Sequence, residues 1–170
     1  MKQILKFFTF AIVMIAFTAT VYGQATATAT ATIVSPITIV RVNNMDFGNV
    51  VTSAATGTVV LTPASTRSTT GGASILAAQP GTVTAASFTV GGTAGFTYSI
   101  SLPASVSIDD AGPGVAMIVD NFTSTPTPTG TIGVGGTETL SVGATLNVGA
   151  SQVGGVYTSA APFTVTVNYN

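Results

Sequence analysis

The chain has 170 residues, of which 46% are hydrophobic and 5% are charged, and its formal net charge is −1. It contains no Cys, which excludes disulfide bonds and leaves packing and strand pairing to stabilise the fold. Lys and Arg are too few to form the clusters that neutralise phosphates, so we expect no nucleic-acid partner and no anionic lipid partner.

The first predicted element is a secretory signal peptide over residues 1–23. Lys2 and Lys6 give a positive start, an apolar stretch reaches Phe17, and small residues suit cleavage before Gln24. A membrane anchor is the alternative, but an apolar stretch of about 14 residues is shorter than the roughly 20 that a spanning helix needs. We therefore expect a secreted protein with no transmembrane segment after processing, located in the periplasm, on the cell surface or outside the cell.

Residues 24–34, QATATATATIV, alternate Ala and Thr before they turn apolar. Three interpretations are open: the first strand of the domain, a strand donated to a neighbouring chain, or a disordered leader. An extended strand over residues 25–34 would measure about 33 Å, which suits the edge of a sandwich. Its Ala face offers little apolar area for burial in a groove. The strict alternation favours a strand, paired within the chain or with another chain.

Period-two alternation recurs along the rest of the chain, interrupted by Gly and Pro. Together with the Ala/Thr run it predicts about eight or nine short strands in one all-β domain over residues 24–170, arranged as an antiparallel sandwich or barrel. TSTPTPTG, residues 123–130, is predicted to be a surface loop. The eight further predicted strand segments are ITIVRV (37–42), GTVVLTP (57–63), ASILAA (73–78), TVTAASFTVGG (82–92), FTYSISLP (96–103), VAMIVDNF (115–122), TETLSVGATLNVGA (137–150) and PFTVTVNYN (162–170).

The residue types that most catalytic sites need are missing. Without His, Cys or, after processing, Lys, the chain offers no Ser-His-Asp triad, Cys-His pair or Ser-Lys dyad. Zinc would lack its usual nitrogen and sulfur ligands. Two carboxylates could hydrolyse a glycosidic bond, but there is no Trp to hold a sugar. We therefore expect no enzyme, no cofactor and no catalytic residue.

A calcium site is the one metal site that the sequence suggests. Asp109, Asp110, Asp120 and Asn121 could supply oxygen ligands, although their spacing does not match an EF-hand. A polar turn before Gly112, in which Asp side chains accept hydrogen bonds from nearby backbone, explains the same residues. The turn is the favoured interpretation, so no metal ligand is predicted.

Several motifs in order suggest a family. Asp46-Phe47-Gly48 follows the first long strand, Tyr98 to Pro103 lies mid-chain, and VGATL (142–146) and Gly155-Val156-Tyr157 precede a final VTV strand. With these motifs the chain resembles the bacterial secreted family known as domain of unknown function 4402. That resemblance implies a secreted all-β domain without an established activity.

FGNV after the first strand and G-x-Y before the last are also loosely similar to spore-coat-U-like and chaperone–usher pilin domains. Those domains are immunoglobulin-like sandwiches that polymerise by strand donation, which implies a single immunoglobulin-like antiparallel β-sandwich here. This chain lacks the Cys pair that most of them carry.

The scarcity of charge indicates a function. Uncharged strands rich in Val and Thr are association hazards unless they are covered. We therefore expect a non-enzymatic structural or adhesive surface protein, such as a pilus, fibre or coat subunit, that pairs with copies of itself or related subunits through edge strands. Two alternatives stay open. One is a small outer-membrane β-barrel, although several strands are shorter than the 9–11 residues that spanning needs. The other is a carbohydrate- or ice-binding module presenting the Thr row of residues 26–32.

Overall fold

The computed structural model describes residues 22–110, 112 and 115–170, so the predicted signal peptide lies almost entirely outside the described residues. The chain divides into two compact units, Met1–Ile33 and Val34–Asn170. Of the first unit, residues 22–33 are described; they are exposed and belong to no helix or strand.

The structure contradicts one of the three interpretations of the Ala/Thr run, that it is the first strand of the domain. The first strand begins at Thr38, and no residue from 24 to 34 is assigned to a strand. The run is therefore not the first strand of this sandwich. Alternation alone does not hold it in a sheet, because Ala side chains bury too little apolar surface. Pairing with another chain stays a prediction.

The described part of the second unit contains twelve antiparallel strands. No helix is present among the residues that the structure describes, and hence none that could span a membrane. The strands are β1 Thr38–Asn43, β2 Val50–Val51, β3 Gly57–Leu61, β4 Arg67–Gly71, β5 Ser74–Ile75, β6 Ala86–Gly91, β7 Thr97–Ser101, β8 Ser105–Ile108, β9 Met117–Thr125, β10 Thr129–Thr131, β11 Thr137–Val148 and β12 Thr166–Tyr169.

Three sheets organise these strands. The largest has seven strands: its main path runs β1-β6-β11-β3-β4, and β9 pairs with both β11 and β8. A second sheet has the order β10-β7-β12, and β2 pairs with β5. The prediction of an all-β fold is confirmed, and the several antiparallel sheets form a sandwich-like arrangement.

Strand β11 connects the parts of the large sheet. Along one edge its first half pairs with β6 and its second half with β3, while β9 follows the opposite edge. Gly143 lies where the partner changes from β6 to β3. A Cβ at Gly143 would collide with the backbone oxygen of Leu61, so only Gly fits there. Across from this point β9 carries a bulge, with Asn121 at φ 47°.

The buried side chains form two clusters, which share β11. The first core takes the inner residues of β6, β7 and β12 together with the start of β11, and the second core takes those of β3 and β9 together with the end of β11. The first core consists of Ala86, Phe88, Val90, Tyr98, Ile132, Leu140, Val142, Val165 and Val167. The second core consists of Val59, Ala73, Met117, Val119, Ala144, Leu146 and Val148.

The predicted loop over residues 123–130 is wrong for most of its length. Strand β9 extends to Thr125 and β10 begins at Thr129, so the connection is reduced to residues 126–128. The reason is pairing with a distant strand: Thr123 to Thr125 lie opposite Gly143 to Ser141 of β11, and Ser124 is buried.

Candidate functional site

A wide groove with a volume of about 1230 Å3 opens into the second unit. One rim is β1 with the chain that follows it to Asn49, and the other rim is the segment 152–165 that leads into β12. The floor is apolar and is lined by buried side chains of both cores. The floor residues include Phe88, Met117, Val119, Leu146, Val148 and Val165.

Both rims present backbone edges without a strand partner. Among the described strands, β1 pairs with β6 alone and β12 pairs with β7 alone. Residues 159–165, which continue β12 along the groove, pair with no strand in the described part of the chain. A strand edge of this kind offers a row of N–H and C=O groups that can pair with another chain.

Hydrogen bonds fasten the two rims together at one end of the groove. The Oη of Tyr169 accepts the N–H of Thr93 at 2.8 Å and donates to the carbonyl of Ser35 at 3.0 Å. The N–H of Ser35 donates to Thr93 Oγ1 at 2.9 Å. The Tyr169 ring packs edge-to-face on Phe96, with ring centroids 5.7 Å apart. The start of β1 and the end of β12 therefore hold this end closed.

The Asp46-Phe47-Gly48 motif shapes the β1 rim. Asp46 Oδ1 accepts the N–H of Gly48 at 2.8 Å, and Gly48 has a φ of 66°, which favours Gly. The guanidinium of Arg67 donates to the carbonyls of Phe47 and Asn49, the latter at 3.1 Å. It also donates to the carbonyl of Pro80 at 2.9 Å. The hydrogen bonds at this motif therefore hold a loop in place.

The Gly155-Val156-Tyr157 motif shapes the opposite rim. The Tyr157 hydroxyl donates to the carbonyl of Val153 at 2.8 Å and accepts from Gln152 Nε2 at 2.9 Å. The next residue, Thr158, forms an isolated bridge to Asp109 with two backbone hydrogen bonds of 2.8 Å. The segment is thus fixed at its start, and residues 159–165 after it pair with none of the described strands.

A buried phenol, Tyr98, has a perturbed pKa. Tyr98 is fully buried, and its hydroxyl donates to Glu138 Oε2 at 2.7 Å. Burial raises the pKa of Tyr98, and the hydrogen bond and negative charge of Glu138 raise it further. The phenol therefore stays protonated at neutral pH, where it joins β7 to β11 as a hydrogen-bond donor.

The residues considered for calcium are separated. Asp120 lies opposite Ser105, whereas Asp109 follows Ile108 at the other end of the β8–β9 ladder. Asp110 Oδ1 accepts the N–H of Gly112 at 2.9 Å, as the turn interpretation predicts. Within the described ranges no group of three or more His, Cys, Asp or Glu side chains could hold a metal ion.

Comparison with known proteins identifies one family. A family model described as "Domain of unknown function (DUF4402)" matches residues 37–169. No curated protein and no solved structure matches the chain. The matched region begins next to β1 and ends with the last residue of β12, so it includes both rims of the groove and leaves out the Ala/Thr run.

Proposed function

We propose a structural role for this chain, which belongs to the DUF4402 family. In this proposal the protein is a secreted, non-enzymatic structural or adhesive subunit of the bacterial cell surface. Copies join through strand pairing to form a fibre or coat. The observation that carries the proposal is the apolar groove of about 1230 Å3, bounded by two strand edges that have no partner among the described strands.

The chemistry of the two edges supports association. Soluble proteins protect free edges with Lys, Pro, bulges or covering segments. Here β1 carries a single charge, Arg41, and β12 carries none. The outward-facing side chains of β1 include Val40 and Val42, both exposed. Two edges that carry one charge between them, beside an apolar floor, favour pairing with another chain over a solitary state in water.

The polar side chains support a role without catalysis. Arg67 binds backbone carbonyls, Asp46 and Asp110 accept hydrogen bonds from nearby backbone, and Glu138 accepts from the buried Tyr98. Each of these groups is engaged in holding a loop or a pair of strands. Binding and assembly at the groove require no change in any of these hydrogen bonds.

The proposal is tested by expressing the full-length chain in a Gram-negative host. Cell fractionation locates the protein, and light scattering with electron microscopy measures its assembly over a wide range of concentration. We expect exported protein that forms oligomers whose mass grows with concentration. Retention in the cytoplasm, or an exported protein that stays monomeric at every concentration, would contradict the proposal.

A further inference from the structure

We infer that the groove binds residues 25–34 of a second copy of this chain as an inserted strand, with the Ala face towards the floor. This inference rests on the proposed function, because it names the contact by which subunits join. It assigns one acceptor, the groove, and one inserted segment, the Ala/Thr run, to every copy.

The dimensions of the groove suit an extended peptide. Its volume of about 1230 Å3 is above the roughly 300–1,000 Å3 that is usual for small-molecule pockets. The β1 rim from Thr38 to Asp46 would extend over about 30 Å, and an extended strand over residues 25–34 measures about 33 Å. One copy of the segment is therefore long enough to follow the whole rim.

The groove and the segment both carry backbone N–H and C=O groups without a strand partner in the described chain. The groove has a free edge along each rim, so a strand lying between them can form hydrogen bonds on both of its sides. Residues 22–34 are exposed and pair with no strand in the described part of the chain, so their own N–H and C=O groups are available. Insertion would pair the free backbone N–H and C=O groups of both rims and of the inserted segment.

The side chains of the segment favour one face. Ala25, Ala27, Ala29, Ala31 and Ile33 share a face, and Thr side chains with Val34 occupy the other. Small Ala side chains let the backbone sit low between the rims. Ile33 is 95% exposed in the structure and is the one large residue on the Ala face. The segment carries no charge, so its burial removes no charged group from water.

The arrangement predicts open-ended assembly. Each copy has its inserted segment joined to Ser35, at the closed end of the groove, and it accepts the segment of another copy along β1. The contact therefore joins two different surfaces. Contacts between different surfaces repeat head to tail and give rings if they close and filaments if they do not.

The first test compares two neighbouring substitutions in the full-length exported chain. Ala29→Lys would place an ammonium group against the apolar floor, whereas Thr28→Lys, the matched control, points a Lys to solvent. Both positions are exposed in the structure, so neither substitution disturbs the sandwich. Light scattering and electron microscopy should show loss of assembly with Ala29→Lys and normal assembly with Thr28→Lys.

The second test blocks the groove. Val156 lines the groove and is 81% exposed, so Val156→Asp adds a charge there without disturbing a core. Val134→Asp is the matched control, because Val134 is fully exposed and does not line the groove. We expect Val156→Asp alone to be monomeric. Mixed with Ala29→Lys, which keeps an intact groove, it should form dimers and nothing larger.

The outcomes separate this inference from the proposed function. If Ala29→Lys assembles like the wild type, the inserted strand is wrong while the structural role survives. If Ala29→Lys and Thr28→Lys both abolish assembly, the inward Ala face is wrong. Hydrogen exchange that shows residues 25–34 protected in a monomer would place the segment in its own groove and overturn insertion between copies. A wild-type chain that is monomeric without such protection would contradict both proposals.

Discussion

Arg67 holds the loop of the Asp46-Phe47-Gly48 motif in place, although it lies outside the motif in sequence. The Asp46-Phe47-Gly48 motif is visible in the sequence, but its hydrogen-bond partner comes from β4, a strand that alternation does not reveal. The guanidinium donates to three backbone carbonyls around the loop. The planar fork of Arg suits this task, because its donors are held at fixed angles. The β1 rim of the groove depends on that contact.

We expect Arg67→Lys to lower the free energy of unfolding by about 1–3 kcal/mol, because a single ammonium group cannot satisfy the same carbonyls. Arg41→Lys is the control, since Arg41 is exposed on β1 and should change stability by less than about 0.5 kcal/mol. Urea unfolding of the two variants measures the difference. Equal midpoints would show that the Arg67 contacts contribute nothing specific.

Tyr98 makes a prediction about pH. Because its pKa is raised in the folded state, its contribution is complete below about pH 10, the usual Tyr value, and falls as pH rises further and the unfolded chain ionises. We expect Tyr98→Phe to weaken the dependence of unfolding free energy on pH above about 10, by up to about 1.4 kcal/mol per pH unit. Denaturant unfolding at several pH values tests this. Parallel curves for wild type and variant would contradict it.

At the scale of elements, β11 explains why a Gly stands in the middle of the longest strand. Its partner on one edge changes from β6 to β3, and the backbone of Leu61 and Thr62 comes close to Gly143 at that change. A side chain here would push β3 away from β11. The VGATL motif therefore marks a crossing between two parts of one sheet.

Gly143→Ala should destabilise the fold by about 1–3 kcal/mol, the usual range for a methyl group forced into packed structure. Gly135→Ala is the matched control, because no atom lies within 4 Å of the Cβ that it would add. Thermal unfolding compares the two variants. If Gly143→Ala is as stable as Gly135→Ala, the close approach of Leu61 does not constrain this position.

The sequence predicts those strands whose side chains alternate. Each of the eight further predicted segments contains a strand, and the side chains of β12 alternate as predicted, whereas in β1 only Ile39 is half-buried. Strands β2, β4, β8 and β10 were not predicted, because they are short or polar and are held by their partners. The motifs that build both rims are visible, but the groove is not, since its floor comes from strands far apart in sequence.

At the scale of the whole molecule, the scarcity of charge predicts how assembly responds to salt. The Debye screening length falls from about 10 Å at 0.1 M to about 3 Å at 1 M ionic strength, and this weakens contacts between exposed charges. Assembly through backbone pairing and apolar burial needs no such contact. We therefore expect the mass distribution in light scattering to be unchanged, or slightly larger, at high sodium chloride. Dissociation by salt would indicate an ionic contact, such as one through Arg41 or Asp46 on the groove rim.

The sharing of β11 by both cores has a consequence for unfolding. Leu140 and Val142 belong to the first core, and Leu146 and Val148 belong to the second. Neither core can lose its packing while the other keeps an intact β11, so the two are coupled into one cooperative unit. Amide hydrogens at both ends of β11 should then exchange with solvent at a common slow rate, set by global unfolding of the sandwich.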